Sequence, residues 1–137
     1  MRRTALFALL VAVVSAFLTV AGVAADPKPS ISITSPAPWG AGGDGPMGPI
    51  SGTVAGAPPE AKVVVFCFAG GQYWIQPWAN DYQTPIKNSN WGTQTHLGQK
   101  YVALLVKPSF QSSSPLSELP PVGADVLAKS SEVPGRK

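Results

Sequence analysis

The chain of 137 residues contains one cysteine and one histidine. A lone Cys67 excludes an intrachain disulfide, so the fold must be held by its core alone. It sits in the apolar run "VVVFCFAG" with no basic residue beside it, which predicts a buried, inert thiol over a reactive one. A lone His96, between Thr95 and Leu97, excludes a paired-histidine metal site and reads as a hydrogen-bonded turn residue, with ligand or base as the alternative. Acids are scarce as well. The seven Asp and Glu are scattered, no two of them closer than seven positions, so nothing in the order of residues prefigures a catalytic carboxylate pair. Asp44, in "GGDGP", lacks the repeated acids of a calcium loop and reads as a turn former between glycines. The sequence therefore predicts no catalytic residue, no metal and no cofactor: a non-enzymatic chain.

Charge excludes another class. The formal net charge is +3, but setting Arg2 and Arg3 aside leaves eight basic residues against seven acidic ones. No basic run interleaved with aromatics remains, which argues against nucleic acid as a partner. The two arginines belong to residues 1–25, "MRRTALFALLVAVVSAFLTVAGVAA", which have the charged, apolar and small-residue regions of a secretory signal peptide. Val23 and Ala25 suit the positions before a cut, and the mature chain would begin at Asp26, outside the cell or in a periplasm. The alternative is an uncleaved anchor, since Thr4 to Ala25 is long enough to span a bilayer. The adjoining "DPKP" lacks a basic stop-transfer flank, so contact with membrane is expected only through the signal before cleavage. No cysteine lies near the cut, which argues against a lipid anchor.

Beyond residue 25, no segment sustains a helical period except the short "GADVLAKS". Short strands are legible instead: "SISIT" (30–34), "ISGTV" (50–54), "KVVVFCF" (62–68), "QYWIQ" (72–76), "QTPI" (83–86), "WGTQTH" (91–96) and "YVALLV" (101–106). The third lacks alternation and predicts a central strand buried on both faces. "AGG" at 69–71 supplies the positive-φ residues of a tight hairpin. Residues 35–49, crowded with Gly and Pro, predict an irregular loop. About seven short strands with regular turn signals predict an all-β fold, a single antiparallel β-sandwich of immunoglobulin-like size over 26–110. Residues 111–137 are Ser- and Pro-rich and predict a flexible tail, with an edge strand at Asp125–Ala128 as an addition.

One stretch stands out: residues 72–98 hold three of the four tryptophans, two of the three tyrosines and the histidine. Strand parity places Tyr73 and Ile75 on one face and Trp74, Gln76 and Trp78 on the other. With Ile75 inward, the second set faces outward. Trp74 and Trp78, flanked by Gln76, Asn80 and Asp81, then form a platform on which a sugar ring could stack while amides and a carboxylate bond its hydroxyls. The competing reading makes Trp74 the buried tryptophan of the sandwich, with Trp78 covering the end of the core. Trp91 shares a face with Thr93 and Thr95 and reads as core, whereas Trp39 lies in the Gly/Pro loop, where it either folds back or adds an exposed ring.

"ISITSP", "ISGTVAG", "KVVVF", "YWIQPWANDYQTPI", "NSNWGTQTHLG" and "YVALLVKPSF", from about Ile31 to Phe110, resemble the immunoglobulin-like accessory modules of secreted bacterial polysaccharide-active enzymes. The resemblance implies a non-catalytic β-sandwich and brings no particular ligand with it. Two functions stand as expectations. The first is weak binding of carbohydrate or another cell-surface polymer through Trp74, Gln76, Trp78, Asn80 and Asp81. The other is a structural or protein-interaction domain whose aromatics are core.

Overall fold

The computed structural model describes residues 28–137. The expected signal peptide over 1–25, the helix expected of it ahead of the sandwich and the expected cut before Asp26 lie outside the described residues. The described chain forms nine strands and no helix: β1 (Ser30–Ser35), β2 (Met47–Ala55), β3 (Lys62–Ala69), β4 (Gln72–Gln76), β5 (Thr84–Pro85), β6 (Asn90–His96), β7 (Lys100–Val106), β8 (Val126–Lys129) and β9 (Val133–Pro134). All pair antiparallel in two sheets, one ordered β1-β2-β6 and the other β4-β3-β7-β8, with β5 beside β3 and β9 beside β7. The fold is the all-β, antiparallel sandwich that the strand pattern predicts, with nine strands instead of about seven. The hairpin between β3 and β4 turns on Gly70 and Gly71, both at positive φ, as a two-residue turn of matching twist requires.

β3 and β7 form the centre. Their run of Val, Leu, Phe and Ala is buried on both faces, which explains why "KVVVFCF" shows no alternation. Val63, Val65 and Cys67 pair with Leu105, Ala103 and Tyr101 and face the other sheet, where Ile31, Ile50, Val54 and Trp91 meet them. Val64 and Phe66 pair with Leu104 and Val102 and face the opposite way, into a second apolar cluster with Ile75, Phe110 and Val126.

That second cluster corrects one expectation. Residues from Gln111 onward do not behave as the flexible tail that their Ser and Pro content predicts. The segment runs as a strap across the outer face of the larger sheet, with Leu116 and Leu119 packed on the second cluster beside Tyr73 and Tyr82. Tyr73 and Leu116 exchange two backbone hydrogen bonds of 2.8 Å, and Ser114 Oγ accepts from the Ile75 N–H at 3.1 Å. The physical reason is the two-faced core: without the strap, Phe66, Val102 and Leu104 would meet water. The edge strand expected at Asp125–Ala128 appears as β8, one residue further on.

Other long-range ties close the molecule. Tyr101 is fully buried, and its hydroxyl accepts from Gly98 N–H at 2.9 Å and donates to Pro38 C=O at 2.6 Å. Arg136 exchanges backbone bonds with Ala37 and Trp39 and donates Nε–H to Pro36 C=O at 2.7 Å, fastening the chain end to the segment after β1. On the strap side, the Tyr73 hydroxyl donates to Glu132, which also pairs with Lys100 at 3.1 Å. The bond to Glu132 pushes the Tyr73 phenol up to about 12, and the same bond holds the Glu132 carboxyl below its ordinary range.

Trp91, expected in the core, is 3% exposed there. It packs over Gly52, where a Cβ would come within 2.8 Å of the indole and 1.9 Å of Ser32 C=O, so no other residue fits. Its indole N–H has no partner among the described residues, a cost of about 1–3 kcal/mol. Trp91→Ala removes that cost but leaves a cavity. The expected loss is about 3–5 kcal/mol, read as a lowered urea midpoint with an unchanged slope.

Candidate functional site

The two sheets differ in width. β6 lies over β3 and the end of β4, while β1 lies over β7 and β8. β4, the edge of the larger sheet, thus lies at the margin of the smaller one. Of its side chains on the inner side, Gln76 is covered by His96 of β6, whereas Trp74, opposite Cys67, is left part-exposed. A cleft of about 470 Å³ opens there, walled by Gly42–Asp44, Trp74, Trp78, Ala79 and Leu97, with Cys67, Gln76 and His96 among its lining residues. Trp74 is 41% exposed and Trp78 50%, whereas the polar residues between the sheets are buried.

Gln76 organises this end of the sandwich. Its Oε1 accepts the His96 backbone N–H at 2.8 Å and lies 3.0 Å from His96 Nδ1, and its Nε2 donates to Trp74 C=O and to Cys67 Sγ, both at 3.1 Å. One amide therefore links β4, β3 and β6. The Cys67 thiol is pushed up to about 11 by burial, so it is neutral near pH 7 and no nucleophile, in line with the inert thiol expected from its neighbours.

Local chemistry places each indole. Trp74 Nε1–H donates to Ala69 C=O at 3.0 Å, which satisfies its polar edge and turns the ring along the hairpin. Trp78 sits in a turn closed by backbone bonds with Asp81 and packs edge-to-face on His96, ring centroids 4.7 Å apart at 80°. The loop opposite approaches closely because Gly42 has φ +103° and any Cβ there would lie 2.7 Å from that of Ala69. On the far side of Trp78 a shallower groove of about 660 Å³ runs over Pro49, Ser51, Gly92, Thr93 and Gln94, so Pro77 and Trp78 form a ridge between two depressions.

The structure brings Trp74, Gln76 and Trp78 together and leaves the other two residues apart. Asn80 and Asp81 are exposed on the turn and line neither depression. Gln76 is 3% exposed with its amide engaged internally, so it positions its neighbours and does not offer its amide to solvent. Trp39 is exposed but lines neither depression. His96 lies at the end of β6, 9% exposed and hydrogen-bonded as expected, yet it also lines the cleft. Sequence reading missed Gly42–Asp44 and Cys67 as cleft residues. The "GG" before Asp44 was the available signal, since paired glycines permit close approach of a loop.

Among the described residues, no group of three His, Cys, Asp or Glu side chains could hold a metal ion. Comparison with protein families, with curated proteins and with solved structures finds no match to this chain.

Removing the clasp should loosen this end of the fold. Gln76→Ala leaves the His96 N–H unpaired and uncovers Cys67 Sγ, with an expected loss of about 1–3 kcal/mol. Urea unfolding reads the loss, and the rate at which a thiol reagent labels Cys67 in the native protein should rise alongside it.

Proposed function

We propose that this chain is a secreted, non-catalytic β-sandwich module that weakly binds a neutral carbohydrate or other cell-surface polymer through Trp74 and Trp78. The observation that carries the reading is the pair of half-exposed indoles walling one cleft. Large rings left in water in a protein without disulfides invite a functional explanation, because the core had use for them. Among the described residues Asp44 is the only carboxylate lining the cleft and no lysine or arginine lines it, which favours an uncharged ligand. The secreted location rests on the signal-like residues 1–25.

Magnitudes favour a polymer. A tryptophan offers about 150–250 Å² in all, and roughly half of each ring is free. Covering both rings gives about 4–6 kcal/mol at ~25 cal/mol per Å². Association costs of several kcal/mol cancel much of that, so one sugar unit binds at millimolar levels or weaker. A chain that also crosses the Trp78 ridge into the adjoining groove adds contact without a second association cost. The alternative, a protein-interaction domain with its aromatics in the core, has support from Trp91 but not from the exposed pair.

A pull-down of the exported protein on a panel of insoluble polysaccharides tests the reading. Retention on at least one polymer is expected, reduced at least tenfold in the Trp74→Ala/Trp78→Ala double variant. Equal retention of both proteins, or retention on no polymer, contradicts it.

A further inference from the structure

We propose that His96 is a hydrogen-bond acceptor of the cleft: Gln76 fixes the ring proton on Nδ1, and the Nε2 lone pair is left for a hydroxyl of the ligand. The proposal rests on the reading of the cleft as a binding site for a neutral, hydroxyl-rich polymer and assigns one of its polar contacts.

The orientation of the Gln76 amide comes first. Its oxygen must face His96, because the His96 backbone N–H points at it from 2.8 Å and a flipped amide would set two donors against each other. The amide nitrogen then meets Trp74 C=O at 3.1 Å, which is an acceptor, so both ends agree. With Oε1 so fixed, its other neighbour, His96 Nδ1 at 3.0 Å, must donate. The opposite tautomer would press the Nδ1 lone pair against the carbonyl oxygen. In the neutral ring the proton therefore sits on Nδ1, and Nε2 is an acceptor.

Nε2 is also available. Among the described residues it has no hydrogen-bond partner in the fold, and it is not sealed from solvent: the only sealed polar side-chain atom without a partner is Trp91 Nε1. His96 lines the cleft, and Trp78 packs edge-to-face upon it, which fixes the imidazole plane. A sugar ring stacked on Trp78 lies beside that imidazole. The other amide nearby, Gln76, is fully occupied. His96 is thus the side chain through which the buried clasp reaches the ligand: Gln76 is a positioning residue, and His96 is the one that touches.

Because His96 is the only histidine, its two ring nitrogens can be read without assignment in the uniformly 15N-labelled protein by long-range proton–nitrogen correlation. In the neutral ring, Nδ1 should resonate as the protonated nitrogen and Nε2 as the unprotonated one. The reverse pattern overturns the proposal. Cellohexaose and chitohexaose are then added in turn. The oligosaccharide that perturbs tryptophan fluorescence should also shift Nε2, and His96→Phe, which keeps the backbone N–H and a ring against Trp78, should weaken its binding about fivefold or more. Fluorescence change with Nε2 unmoved and full affinity in His96→Phe overturns the role of His96 and leaves the cleft reading standing. Nδ1 protonated as expected, with neither hexasaccharide nor any insoluble polymer bound, overturns the cleft reading and the ligand role with it.

Discussion

The β3–β7 ladder must be dry on both faces, and the rest of the molecule depends on that constraint. Its side chains are apolar on both sides, and no disulfide relieves the core of its task. One face is covered by the three-stranded sheet through Ile31, Ile50, Val54 and Trp91. The other is covered by Phe110, Leu116 and Leu119 on the irregular strap. The narrower sheet ends over β4, where His96 covers Gln76 but Trp74 stays part-exposed. The cleft is the place where coverage ends.

At that open margin polar chemistry replaces apolar packing. Gln76 joins three strands by hydrogen bonds where a hydrophobic residue would leave the His96 N–H unmet. A satisfied amide of this kind holds geometry more than it adds stability, since each net bond is worth only about 1 kcal/mol. Its effect is to set His96 and, through ring contact, Trp78 at the cleft wall. Trp74 is set separately, by its bond to Ala69 on the adjoining hairpin. Two independent devices thus leave two indoles facing one space.

Much of the fold was legible in the residues. Strand positions from "SISIT" to "YVALLV" fall on β1 to β7, because β-branched runs and Gly or Pro punctuation are local signals. But β1 reaches Ser35 and β2 begins at Met47, inside the stretch 35–49 expected to be irregular: pairing with β6 holds Met47–Pro49 extended despite its Gly and Pro. Parity in β4 was also legible: Ile75 does face away from Trp74 and Gln76. What failed was the inference that the face opposite Ile75 must be the outer surface. Both faces of that sheet are interior, and Trp74 is exposed through sheet width, which no local pattern encodes. The strap escaped for a related reason. Its apolar anchors, Phe110, Leu116 and Leu119, are spaced irregularly among serines and prolines, so they show no period until the sheet beneath them is known. Asn80 and Asp81 were grouped with the indoles by nearness in sequence, and the Trp78–Asp81 turn carries them away from the cleft.

The central claim is that Trp74 and Trp78 face solvent and are covered by a ligand, while Trp91 is covered by the protein. Acrylamide quenching of tryptophan emission tests it most directly, on a Trp39→Phe protein that lacks the third exposed indole and on the same protein with Trp74 and Trp78 also replaced by Phe. The account predicts strong quenching in the Trp39→Phe protein, relief of that quenching by the polysaccharide that retains it, and weak, ligand-independent quenching of Trp91 in the triple variant. Uniformly blue emission that acrylamide does not reach would contradict it.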